Sequence, residues 1–135
     1  MNTLVLLLAF AVLAILVYRL WKPIISKPKR DVPKNQARLY FFFTDWCGFS
    51  QKAQPEWQKL ELMLNETPYF GNTKVVAVSV NAETDKASAE LYGVDAYPTI
   101  KLETSDGIYD YTKRVSSDGL FKFLRESLGK ETASL

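Results

Sequence analysis

Histidine is absent from this 135-residue chain, and cysteine occurs once, as Cys47. Without an imidazole, no histidine can serve as catalytic base, proton shuttle or metal ligand. A single thiol cannot form an intrachain disulfide or a zinc cluster within one chain. The sequence therefore predicts no bound metal and no cofactor. It leaves Cys47 as the side chain best suited to nucleophilic chemistry.

Charged residues are also absent from the first eighteen positions. Residues 4–17 are wholly apolar, and a helix over residues 3–21 is about 28 Å long, near the hydrocarbon thickness of a bilayer. No basic residue precedes this run and no small-residue cleavage site follows it, which argues against a signal peptide. A buried core helix is disfavoured because the segment is apolar on every face. We expect residues 1–21 to form a transmembrane anchor in the lipid bilayer.

Acidic residues are scarce in the segment that follows. Seven basic residues and one acidic residue lie from Arg19 to Arg38, which gives this segment a net charge of +6. Since the whole chain has a net charge of +2, residues 39–135 have a net charge of −4. The positive-inside rule predicts that the N-terminus faces out and the domain faces the cytosol, or the capsid side of a viral inner membrane. We interpret residues 22–38 as a basic, proline-containing linker at a membrane surface. Because the domain beyond it is acidic, no nucleic-acid partner is expected.

The residues around Cys47 predict a strand that passes into a helix. Residues 39–43 are apolar and aromatic, as in a buried strand. Beyond the cysteine, apolar residues recur every three or four positions, which predicts one helix face. Its members are Phe49, Ala53, Trp57, Leu60 and Leu64. A thiol in the first turn of a helix meets unpaired N–H groups and the positive end of the helix dipole, and both favour the thiolate. Ser50 lies one turn later.

Four short motifs resemble the thioredoxin and protein disulfide isomerase superfamily. Trp46-Cys47-Gly48 is followed by Pro55-Glu56-Trp57, and later by Tyr92-Gly93-Val94 and Tyr97-Pro98-Thr99. The resemblance implies an α/β, thioredoxin-like fold over residues 39–128, with a mixed central sheet, flanking helices and a tail at 129–135. It also implies that the first strand and helix of a complete thioredoxin are lacking, and that the bond before Pro98 is cis.

The same resemblance implies the roles of the site residues. Cys47 would attack a disulfide, and Ser50 stands where two-cysteine members carry the thiol that resolves the mixed disulfide. Phe41 stands where thioredoxins bury an acid that takes the resolving proton. Ser50 could still hydrogen-bond to the Cys47 thiolate and lower its pKa. Residues expected to contact the substrate are Trp46, Gly48, Phe49, Tyr97 and Pro98.

Three functions remain open from the sequence. The first is a membrane-anchored monothiol protein whose Cys47 forms mixed disulfides with partner proteins, at most a weak thiol–disulfide oxidoreductase. The second is a non-catalytic tether, such as a minor capsid or membrane-linking protein of a large DNA virus, because the chain resembles small anchored thioredoxin-like proteins of those viruses. The third follows from the tetrapeptide of residues 47–50, which resembles that of iron–sulfur-binding monothiol glutaredoxins. The residues around the tetrapeptide favour thioredoxin.

Overall fold

A computed structural model describes residues 2–21 and 31–132 of the chain. Helix α1 spans Thr3–Trp21, and its apolar side chains include the exposed Val5, Leu7 and Phe10. In these two ranges, no helix combines the length and apolar character needed to cross a membrane. Most of the predicted linker, residues 22–30, and the end of the predicted tail, residues 133–135, lie outside the described residues.

The second described range forms a mixed six-stranded sheet flanked by helices. Its elements, in chain order, are β1 Gln36–Phe43, α2 Gly48–Glu66, β2 Tyr69–Phe70, β3 Thr73–Asn81, α3 Lys86–Leu91, β4 Thr99–Glu103, β5 Ile108–Tyr111, α4 Ser117–Leu128 and β6 Glu131–Thr132. The strand order is β5-β4-β1-β3-β2-β6. Strand β1 pairs in parallel with β3, and the other pairings are antiparallel. The predicted α/β architecture is confirmed.

Two element boundaries differ from the sequence prediction. Strand β1 begins at Gln36 rather than at Leu39, because Ala37 is fully buried and pairs with Val75. Residues 36–38, assigned to the linker, therefore belong to the sheet. Part of the predicted tail forms β6, which pairs with β2 and is an edge strand of the sheet. The sequence predicts that the first strand and helix of a complete thioredoxin are lacking. Residues 31–35, directly before β1, form no strand or helix, and residues 22–30 lie outside the described residues.

The main core lies between the sheet and helices α2 and α4. Alternate residues of β1, including Leu39 and Phe41, pack there against Trp57 and Leu60 of α2 and Leu120 of α4. Each of these side chains is at most 2% exposed. Alternation of side chains along a strand sends Phe42 to the opposite face. That face holds a second, smaller core cluster that includes Ala89 of α3.

Two apolar side chains, Val76 and Phe49, lie outside both core clusters. Val76 of β3 is 40% exposed, and α3, the helix that contributes to the smaller core, has only six residues. Of the residues predicted to share one face of α2, Phe49 is 75% exposed, as suits a residue expected to contact substrate. The buried positions of α2 begin at Ser50 and continue at Ala53, Trp57, Leu60 and Leu64.

Candidate functional site

Cys47 lies at the junction of β1 and α2, where the chain turns from the sheet into the helix. It is the N-cap residue of α2, with an extended backbone (φ −82°, ψ 114°), and its side chain is partly buried. The thiol donates a hydrogen bond to the carbonyl oxygen of Tyr97, with an Sγ–O distance of 3.4 Å. At Gly48 a Cβ would meet no atom within 4 Å, so the start of the helix is open beside the sulfur.

The first turn of α2 lowers the pKa of Cys47 below that of an ordinary thiol. The largest cause is the backbone N–H of Ser50, which stabilises the thiolate; partial burial opposes it. The Ser50 hydroxyl and the backbone N–H of Phe49 add smaller lowering effects. The predicted influence of the Ser50 hydroxyl is present, but the helix backbone contributes more, as expected for a thiol at a helix N-terminus.

Ser50 occupies the position where a second thiol would have to lie. Its side chain is fully buried, and its Oγ accepts a hydrogen bond from the backbone N–H of Thr44 at 3.4 Å. A hydroxyl does not replace a thiol in sulfur exchange, because it is neither a nucleophile nor a leaving group for that reaction at neutral pH. Ser50 therefore supports Cys47 through hydrogen bonding and cannot resolve a mixed disulfide.

Phe41 fills the buried place beneath the site. It is 1% exposed, and its ring stacks on Trp57 and Phe43, with centroid distances of 5.1 and 5.3 Å. An aromatic ring in this position neither accepts nor releases a proton. An apolar ring therefore fills the buried position where the resemblance would place a carboxylate.

Aromatic side chains surround the sulfur, as the sequence predicts. Trp46 and Phe49 are 70% and 75% exposed, and the Trp46 and Tyr97 rings meet edge to face with centroids 6.4 Å apart. The bond between Tyr97 and Pro98 is cis, as expected. The N–H of Tyr97 donates to no acceptor among the described residues. The residues predicted to contact substrate thus lie together around Cys47, with part of the Tyr97 backbone open.

Two grooves beside this rim were not predicted from the sequence. The first, here called the basic groove, has a volume of about 760 Å³. Its wall includes Lys52, Glu56, Tyr97, Pro98, Lys113 and Arg114. The second, here called the acidic groove, has a volume of about 590 Å³. Its wall includes Thr44, Trp46, Glu83, Lys86, Glu90 and Tyr97. Tyr97 lines both grooves.

The sequence contains only a weak signal for these charges. Lys113 and Arg114 are adjacent in the chain, but they follow β5 in an ordinary connecting loop. Pairing of β5 with β4, which follows Pro98, brings that loop to the site. In the ranges 2–21 and 31–132, no group of three histidine, cysteine, aspartate or glutamate residues is arranged to hold a metal ion.

Comparison with known proteins agrees with this geometry. The family model described as thioredoxin matches residues 24–126. Protein disulfide-isomerase erp38 of Neurospora crassa is 38% identical over 93 residues, covering 67% of this chain and 24% of that protein. Thioredoxin domain-containing protein R362 of Acanthamoeba polyphaga mimivirus is 28% identical over 91 residues, covering 66% of this chain and 26% of that protein. The chain thus spans about a quarter of the length of these curated relatives.

A solved structure shows the same fold. The zinc-bound form of human ERp44 superposes with a TM-score of 0.59 and 26% identity, covering 69% of this chain and 27% of that one. The thioredoxin model extends over more than half of the 135 residues. The chain belongs to the thioredoxin family, as a redox-type domain with one cysteine.

Proposed function

We propose that this protein forms mixed disulfides with partner proteins through Cys47 and lacks the means to resolve them alone. The observation that carries the proposal is the arrangement around the sulfur. Cys47 begins α2 with a lowered pKa and its Sγ is 3.4 Å from the Tyr97 carbonyl, while buried Ser50 occupies the place of a resolving thiol.

The reaction is an ordinary thiol–disulfide exchange. The Cys47 thiolate attacks one sulfur of a partner disulfide, the partner S–S bond breaks, and the second partner sulfur leaves as a thiolate that takes a proton from water. The open edge of Tyr97 suits pairing with an extended partner segment, a form of β-strand addition. Because Ser50 cannot attack the new bond, release requires an external thiol such as glutathione or a protein thiol.

Mild oxidation of expressing cells tests this function. Acid quenching and alkylation should preserve covalent complexes that survive denaturation and disappear on reduction. Cys47→Ala should remove every complex, while Ser105→Ala, a change in the β4–β5 turn, should leave them. If the wild-type chain forms no more complexes than Cys47→Ala, the proposal is wrong.

We also propose that residues 1–21 anchor the chain in a membrane with the domain on the cytosolic side. This proposal rests on the amino-acid sequence of the segment and on the basic residues that follow it. Added protease should digest the domain in sealed vesicles whose cytosolic face is outward. A chain lacking residues 1–21 should be soluble and folded. Full protection from protease would contradict the orientation, and an unfolded shortened chain would contradict the boundary.

A tether without redox activity is the second candidate function. It is favoured by the large exposed area of Trp46 and Phe49, because exposed aromatic residues are typical anchors of protein interfaces. In that case Cys47→Ala should retain the protein partners of the wild type, and Trp46→Ala should lose them. The role in a virion, between membrane and capsid, remains a prediction.

A further inference from the structure

The basic groove has an excess of positive charge, because its wall contains three cationic side chains and one carboxylate. Lys52 projects from α2, and Lys113 and Arg114 lie between β5 and α4. No carboxylate of the described residues lies within 4.0 Å of these three cations; the ion pairs there join other residues. Cations left without a partner beside a reactive sulfur are available to a ligand.

The carboxylate in the groove wall is committed elsewhere. Glu56 accepts hydrogen bonds from the backbone N–H of Ser117 at 2.7 Å and from its hydroxyl at 2.9 Å. Both bonds favour the charged carboxylate, so the pKa of Glu56 is lowered. Since Glu56 is tied to the start of α4, the groove retains an excess of positive charge.

The acidic groove, on the other side of Tyr97, has the opposite character. Glu83 and Glu90 outnumber Lys86 there, and the Glu83 carboxylate accepts a hydrogen bond of 2.7 Å from the backbone N–H of Asp45. A partner segment that crosses Tyr97 with its sulfur at Cys47 therefore meets positive charge on one side and negative charge on the other. Acidic side chains are attracted into one groove and repelled from the other.

We propose that the partner segment captured by Cys47 is acidic, with carboxylate side chains near its reactive sulfur that bind Lys52, Lys113 and Arg114 in the basic groove. This inference rests on the mixed-disulfide function proposed above. The net charge of residues 39–135 is −4, which opposes an acidic partner at long range. The preference must therefore arise from the local charge of the groove, after the partner has docked.

Two synthetic peptides test this charge preference on the full chain in a non-ionic detergent. Each peptide contains one cysteine, held as a disulfide with neutral thiopyridine, and the residues around it are glutamates in one peptide and lysines in the other. Attack by Cys47 transfers the peptide sulfur to the protein and releases thiopyridone, whose absorbance gives the rate. The acidic peptide should react about fivefold faster or more at low ionic strength. The ratio should fall towards one in about 1 M salt.

Charge reversal identifies the groove. The double variant Lys113→Glu and Arg114→Glu should abolish or invert the ratio. Lys122→Glu with Lys130→Glu makes the same change in net charge outside the groove and should preserve the ratio. Because each ratio compares two peptides on one protein, a change in the intrinsic reactivity of Cys47 cancels.

The possible results separate the two proposals. Equal rates for both peptides, or a ratio unchanged by reversal at 113 and 114, would overturn the acidic-partner inference and leave the mixed-disulfide function standing. Absence of reaction with either peptide would overturn both. If oxidised glutathione reacts as fast as the acidic peptide and loses the same factor in the double variant, the groove serves a small thiol and the proposal of an acidic protein segment is wrong.

Discussion

The two halves of the site around Cys47 differ in different ways from a two-cysteine site. The attacking half retains a thiol at a helix N-terminus, a lowered pKa and an aromatic rim open to solvent. The resolving half, one turn deeper, holds the buried hydroxyl of Ser50 and the stacked ring of Phe41. In the proposed function, this difference separates the capture of a partner from its release. Capture depends on an exposed helix start, whereas release depends on a second thiol and a buried proton acceptor.

Removing the thiol should have the largest effect on the reaction of the attacking half. Cys47→Ala should abolish reaction with thiopyridyl disulfides completely, because no other thiol exists in the chain. The fold should be unchanged, since the Cys47 side chain is small and only partly buried. Thiopyridone release and the circular dichroism spectrum check both statements. Residual release by Cys47→Ala would show that the signal has another source.

The two phenylalanines of the site should differ sharply in their contribution to stability. Phe41→Ala removes a ring that is 1% exposed and leaves a cavity, so it should cost about 3–5 kcal/mol of unfolding free energy. Phe49→Ala removes a ring that is 75% exposed and should cost less than about 0.5 kcal/mol. Urea unfolding of both variants measures the difference. Equal losses would mean that Phe41 does not pack the resolving half as described.

The pH dependence of exchange should reveal how much the Ser50 hydroxyl lowers the pKa of Cys47. This effect is smaller than that of the helix backbone. The thiolate is the attacking form, so the rate rises as pH increases through the pKa of Cys47 and then levels off. Because that pKa is lowered, the plateau should be reached at lower pH than for an ordinary cysteine peptide. Ser50→Ala removes the hydroxyl and should move the profile towards higher pH. The backbone N–H of residue 50 remains, so the pKa should stay below the ordinary range.

A remote serine provides the control for this profile. Ser105→Ala, in the turn between β4 and β5, should leave the pH dependence unchanged. An identical profile for the wild type and Ser50→Ala would contradict the hydrogen bond from the Ser50 side chain to the thiolate.

Much of this structure follows from local patterns in the sequence. The strand before Cys47 and the helix that follows it are confirmed. The N-cap of α4 has a local signature too, since Ser116 accepts a hydrogen bond from the backbone N–H of Gly119. These features depend on residues close to one another in the chain, and local propensity is sufficient to predict them.

The features that the sequence does not predict arise where distant parts of the chain decide the outcome. The burial of Ser50 depends on how α2 packs on β1, and a period of three or four apolar residues does not reveal it. The basic groove depends on the pairing of β4 with β5, which brings Lys113 next to Pro98. Neither of these features has more than a weak local signature in the sequence.

The reaction of Ser50→Cys tests most directly whether capture is retained and release is lost. The substitution places a thiol at the buried position one turn after Cys47. The wild-type chain, charged with a peptide disulfide and freed of excess reagent, should hold the peptide until an external thiol is added. Ser50→Cys should release the peptide unaided and acquire an internal disulfide, slowly, because Phe41 offers no carboxylate to take the proton. Unaided release by the wild-type chain, at a rate equal to that of Ser50→Cys, would contradict the separation of the two halves.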